Sequence, residues 1–231
     1  MNVPPPKHCR PEAYQLLAEQ LDRLDEPDAL WKGAVAIARH EKADADVELT
    51  GERLDHLAGI IRGRVQSRQL SALLAHGHAV LFEEQGFRGN TDDYYDTANS
   101  YLPDVLETCR GIPISLTLIY KCVMERIGVT VAGVNAPGHF LADVSTDGEH
   151  MYVDPFAGGR VLHREEVFTH IEKMLKAQVP RSDSVLAHAS HREWLARTIR
   201  NLQGIFQARG RTTDLAAMTE MQNLLSYHVG S

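Results

Sequence analysis

The chain has 231 residues, 43% of them hydrophobic and 24% charged, with a formal net charge of −7. This balance describes an ordinary globular fold and excludes a disordered chain, while the acidic surface has the wrong sign for a general nucleic-acid binder. The apolar runs fall short of the ~18 residues that read as a membrane span, and MNVPPPKHCRPEAY lacks the apolar stretch of a signal peptide. Three cysteines, Cys9, Cys109 and Cys122, stand at unrelated spacings that make neither a disulfide framework nor a zinc pattern. A reducing, cytoplasmic setting is expected, with no cofactor, no resident metal and no membrane or nucleic-acid partner.

Residues 1–86 read as helical. AYQLLAEQL and ALWKGAVAIARHE space Leu17, Leu21 and Leu24, then Leu30, Ala34, Ile37 and Ala38, at three- and four-residue intervals. Pro27 and Asp28 mark a helix start between them. A third helix is predicted from Thr50 to about Val65, turning Leu54, Leu57, Ile60 and Ile61 inward. Arg62, Arg64 and Arg68 read as one solvated helix face. LSALLAHGHAVLFEEQG gives a fourth helix ending at Gly86 as its C-cap. The pair His76 and His78 within it has no further ligand cluster nearby, and metal binding is not expected there.

FRGNTDDYYDTANSYLP reads as an ordered loop. Asn90, Asp92, Asp93 and Asp96 lack the glycine and the closing glutamate of an EF-hand. The Arg88-Gly89-Asn90 and Asn99-Ser100 elements are expected to brace the loop through side-chain bonds to backbone. A short helix follows from Pro103 to about Thr108.

The next stretch, CRGIPISLTLIYKC, opens a helix at Pro113, where a missing N–H costs nothing. Ile119, Cys122, Val123 and Ile127 form its apolar stripe, and Gly128 closes it. Beyond Gly128 the period becomes two: VTVAGV, FLADV and MYVDPF read as strands, with a hairpin signal in STDGE. A two-residue turn at Asp147-Gly148 places Leu141 opposite Asp154, which makes His139 and Asp154 diagonal neighbours on one face. A carboxylate beside an imidazole fixes its tautomer and stabilises its charged form, the orienting half of a nucleophilic triad. The same pair can equally tie two strands together, and the spacing leaves both readings open.

A catalytic cysteine is best placed at a helix N-terminus, where N–H groups and the dipole lower its pKa. Here Pro113 holds that place. Cys109 lies four residues earlier and reaches the site only if the turn at Arg110-Gly111 folds it back. Cys122 belongs to the apolar stripe and reads as core. Ser115, in the first turn, reads as a hydrogen-bonder of the helix start rather than a nucleophile. Toward the C-terminus, REWLARTIRNLQGIFQARGRTTDLAAMTEMQNLLSY gives two amphipathic helices broken at Gly210, with Thr212 and Asp214 opening the second and Met218, Met221 and Leu225 as a packing face. His188 and His191 would share a helix face without a carboxylate or cysteine partner.

The run LFEEQGFRGNTDDYYDTANSYLPDVLETCRGIPISLTLIY, followed by GVNAPGHFLADV and VDPFAGG, resembles the bacterial SirB-type proteins with a transglutaminase-like domain. The resemblance implies an α+β fold: a transglutaminase-like, broadly papain-like core at residues 87–180, in which a helix packs on a small antiparallel sheet. A helical region at 1–86 precedes it, and a tetratricopeptide-like helical hairpin at 188–228 follows. His139 and Asp154 match the family's histidine and aspartate, and counting back from Gly128 the superfamily's cysteine position falls on Pro113. Two functions are expected from this. The first is a non-catalytic regulatory or protein-binding module, with Gly111, Pro113, Ser115, Gly138 and His139 lining a groove for an extended peptide. The second is a cysteine-dependent amide hydrolase or acyl transferase with Cys109 as nucleophile, His139 as general base and Asp154 as its orienting partner. A protein or peptide partner is expected, and no oligomeric state is assigned.

Overall fold

A computed structural model describes residues 5–146 and 148–227. Its N-terminal helices are α1 (Pro11–Leu21), α2 (Ala29–Ala38), α3 (Val47–Arg62) and α4 (Leu70–His78). The last continues as a π-helical segment over Ala79–Glu84. The apolar spacing read from the sequence is the buried spacing: Leu17, Leu21, Leu24, Leu30, Ala34 and Ile37 are all in the interior. α3 begins before Thr50 because Asp46 caps it, accepting the Leu49 N–H at 3.0 Å, while the Thr50 hydroxyl donates to the Asp46 carbonyl at 2.6 Å. It ends at Arg62, so Arg62, Arg64 and Arg68 are exposed without sharing a helix face. Arg64 pairs with Glu84 and Arg62 donates to the Arg126 carbonyl.

The loop that follows is ordered by the bonds its composition suggests. Asn90 donates to the Asn99 side chain at 2.9 Å, and Asn99 donates to the carbonyls of Asp93 and Tyr94. The short strand β1 (Arg88–Gly89) pairs in parallel with β2 (Arg110–Gly111), and between them run a 3-10 turn, Thr97–Ser100, and α5 (Leu102–Thr108). Helix α6 (Pro113–Glu125) is buried along almost its whole length.

Strands β3 (Thr130–Val134), β4 (Leu141–Thr146), β5 (Glu149–Asp154) and β6 (Arg160–Leu162) follow, then α7 (Arg164–Leu175), β7 (His188–Ala189), α8 (His191–Ala208) and α9 (Thr212–Tyr227). Among the described residues these strands form a five-stranded antiparallel sheet in the order β6-β5-β4-β3-β7. The β4–β5 hairpin runs from Thr146 opposite Glu149 to Ala142 opposite Val153, the register expected of a two-residue connection. Of the predicted turn pair, Asp147 lies outside the described residues and Gly148 takes φ +90°.

Alternation sorts the sheet into two faces. One carries Val131, Ala142, Val144 and Val153 into the main core, against α6. The other carries Val134, Leu141, Tyr152 and Leu162 into a smaller core beneath α7, whose Val167, Phe168 and Ile171 are fully buried there. Burying a side chain of that size stabilises by roughly 1.5–3 kcal/mol relative to exposure. The main core extends from Cys9 to Leu225, so the N-terminal helices and the α8–α9 hairpin share one apolar interior with the sheet. Met218, Met221 and Leu225 are buried in it, and the Trp194 indole N–H donates to the Ile114 carbonyl at 3.3 Å. No helix among the described residues is long and apolar enough to cross a membrane.

Candidate functional site

Where β3 hands over to β4, Ala136-Pro137-Gly138-His139 makes a tight turn: the His139 N–H bonds the Ala136 carbonyl at 3.1 Å and Gly138 takes φ +73°. Proline second and a positive-φ glycine third is the residue order of a type II turn. It sets His139 at the sheet's end, 3% exposed. Across from it, β5 closes on Asp154, 1% exposed, whose alternation puts it on the α7 side with Tyr152. Asp154 Oδ2 lies 2.9 Å from His139 Nε2. Its other oxygen, Oδ1, accepts the backbone N–H groups of Phe156 and Ala157 at 3.0 and 3.2 Å. The DPFA turn therefore fixes the carboxylate, and the carboxylate fixes the imidazole. Phe156 stands edge-on to the His139 ring, and Tyr94 edge-on to Phe156. Among the described residues His139 Nδ1 makes no hydrogen bond.

A third group reaches this place that sequence reasoning passed over. His170, on α7, brings its Nε2 to 3.5 Å from Asp154 Oδ2, with its ring centroid 5.2 Å from that of His139. Burial pushes its pKa below the ordinary histidine value, against the opposing pull of Asp154. The signal was present in VFTHIEKML, where Val167, Phe168 and Ile171 give a helical stripe that carries His170 on its flank. Donor atoms of His139, Asp154 and His170 all lie within 4.8 Å of one another.

The start of α6 is built differently. Pro113 is its first residue, with Ile112 in an extended conformation before it. Ser115 is 5% exposed; its hydroxyl accepts the Ile112 N–H at 3.1 Å and donates to the Asn99 carbonyl at 2.6 Å. Gly111 is packed so closely that an added Cβ would lie 2.7 Å from Ser115 Oγ and 2.9 Å from Val105. Gly111, Pro113 and Ser115, expected along an open groove, are thus buried, Gly111 and Ser115 being bonded to the 88–100 loop, and Gly138 alone of the four is exposed. Cys109 ends α5 in the left-handed conformation, φ +56°, with its N–H on the Val105 carbonyl and its own carbonyl taking the Arg88 N–H. It is half-buried, and burial raises its thiol pKa. Among the described residues the Cys109 thiol makes no hydrogen bond to His139. Cys122 is buried and its pKa is pushed up to about 12, chiefly by desolvation.

Four other histidines have structural partners. His78 bonds the Tyr120 hydroxyl at 2.9 Å and stands edge-on to Phe82, and burial lowers its pKa to about 4. His188 and His191 do not share a helix face. His188 lies on β7 and contacts Asp143 Oδ2 at 2.7 Å, whereas His191 opens α8 and meets the Leu24 carbonyl. His150 takes the other oxygen of Asp143 at 2.6 Å.

The profile of the transglutaminase-like superfamily matches residues 48–200, so the chain belongs to that superfamily. The helix-and-antiparallel-sheet architecture is the α+β fold that membership implies. A UPF0162 protein of Xylella fastidiosa is 38% identical over 192 residues, covering 81% of this chain and 68% of its own. A UPF0162 protein of Pseudomonas aeruginosa is 33% identical over 204 residues, 87% of this chain and 72% of its own. Human F-box only protein 21 is 34% identical over 115 residues, 46% of this chain but 18% of its own. No solved structure matches the chain.

Proposed function

We propose that the chain is a SirB-type, cytoplasmic, transglutaminase-like module that works by binding a protein or peptide partner, without thiol catalysis. The observation that carries this reading is the occupancy of the α6 N-terminus. The position where helix N–H groups and dipole would activate a thiolate belongs to Pro113, and Ser115 beside it is committed to backbone partners on both sides. Exposed Tyr94, Tyr95, Met174 and Leu175 supply apolar surface near the His139 end of the sheet; Gly138 packs toward Leu175, and Tyr94 toward Phe156. The α8–α9 hairpin, read as tetratricopeptide-like, adds a second helical surface. That a stretch of this chain recurs as a small share of F-box only protein 21 fits a module used inside larger chains.

One observation favours the thiol hydrolase or acyl transferase: the 2.9 Å His139–Asp154 pair leaves Nδ1 without a hydrogen bond, as a general base requires. The discriminating experiment is incorporation of a fluorescent primary amine into glutamine-bearing protein, alongside peptide amide hydrolysis, for wild type and His139→Ala. Signals at the blank for both proteins agree with the binding module. A wild-type signal lost in His139→Ala contradicts it.

A further inference from the structure

We propose that His139, Asp154 and His170 form a binding site for one divalent transition-metal ion, Zn2+ being the best fitted. This goes beyond the reading above and accords with it: an ion on His139 Nε2 would hold the ring proton on Nδ1 and so exclude that imidazole as a general base.

Around Asp154 the geometry offers more than the His139 hydrogen bond: three donor atoms converge within 4.8 Å of one another. Its Oδ1 is held by two backbone N–H groups, which leaves Oδ2 as the oxygen facing both imidazoles. His139 Nε2 lies 2.9 Å from it and His170 Nε2 3.5 Å. Around a tetrahedral Zn2+ with bonds of about 2.0–2.1 Å, neighbouring donor atoms stand about 3.3 Å apart, and the two separations bracket that value. A His–Asp pair needs one imidazole. The second makes no hydrogen bond among the described residues: His170 Nε2 is buried with only its 3.5 Å approach to Asp154, a condition that a metal ion would relieve.

The donor set selects the ion. Two imidazoles and one carboxylate suit Zn2+ and its neighbours in the first transition row, and disfavour Ca2+ and Mg2+, which take oxygen ligands. The Phe156 and Ala157 N–H groups supply the outer support that orients a ligating carboxylate. Three protein ligands leave a fourth position for water or an incoming group, and the His170 side chain, 23% exposed, gives the site a route to solvent. The cluster of Asp143 with His150 and His188 makes a useful contrast. There each imidazole already bonds its own carboxylate oxygen, and both side chains are about half exposed, at 49% and 57%.

The test is calorimetric titration of the tag-free, chelator-stripped full chain with ZnCl2, together with the visible absorption of the CoCl2-loaded protein. The expected result is saturable one-to-one binding, a raised melting temperature and the intense spectrum of a four-coordinate Co2+ centre. His170→Ala, verified as folded by circular dichroism, should weaken binding by at least the ~10–100-fold that loss of an outer-shell partner costs, and His188→Ala should leave it unchanged. Absence of saturable binding overturns the proposal. So does binding that survives His170→Ala, or binding that is lost in His188→Ala instead.

Discussion

The end of the sheet and the start of α6 lie on either side of what would be a thiol site, and they are finished to different standards. At the sheet end, His139, Asp154 and His170 converge from a turn, a strand and a helix, and one carboxylate is aligned by two backbone donors. At the helix start, proline, a buried glycine and a hydrogen-bonded serine close the space with backbone and packing. One region concentrates titratable groups in a low-dielectric setting and the other holds none in the favoured place. Polar convergence of the first kind costs desolvation and persists only with partners in position, which is why the proposed site is placed at the sheet end.

The comparison predicts unequal responses to substitution. Asp154→Ala should have the largest effect, about 3–4 kcal/mol, because it leaves His139 and the Phe156 and Ala157 N–H groups without their buried acceptor. Urea unfolding would measure it, and an unchanged midpoint would contradict a structural role for the carboxylate.

Next in size is a pH effect at His78, an imidazole half-buried against Phe82 and Tyr120 rather than beside a carboxylate. Its pKa of about 4 in the fold lies below the ordinary 6.5. Between these values the unfolded chain binds the extra proton, so stability falls as pH drops through that window and is fully present above 6.5. Wild type should therefore lose about 2–3 kcal/mol more than His78→Gln on going from about pH 7 to about pH 4. Parallel losses in denaturant titrations of the two proteins would remove His78 as the cause.

At the helix start the effects are smaller. Ser115→Ala should cost about 1–2 kcal/mol through the lost bonds to Ile112 and Asn99, with partner binding unaffected. A loss of binding in a protein of near-native stability would move the proposed site toward α6.

How much of this was legible beforehand depends on range. The β4–β5 register followed from the two-residue connection, and with it the approach of His139 to Asp154, because alternation over a short hairpin is a local property. Helices α1, α2, α6, α8 and α9 followed from spacing and from proline or glycine at their ends. Helix α7 is absent from the sequence reading although Val167, Phe168 and Ile171 show a helical period; the other misses are short or distant. β6 and β7 have three and two residues, too few to show a period, and their pairing is decided by tertiary contact. His170 comes to Asp154 only because α7 buries Val167, Phe168 and Ile171 on the same sheet face, a fact of packing that no local pattern states. The burial of Gly111 and Ser115 likewise depends on how the 88–100 loop bonds to them.

The central claim is that the thiol half of this site is not assembled, and cysteine reactivity tests it most directly. Native protein would be labelled with iodoacetamide across pH, the modified residue identified by mass spectrometry, and the rates compared with those of His139→Ala. The account predicts slow labelling of Cys109, an apparent pKa above the ordinary thiol value as its burial requires, and no change in His139→Ala. Fast labelling of Cys109 with an apparent pKa well below ~8.5, slowed when His139 is removed, would contradict it.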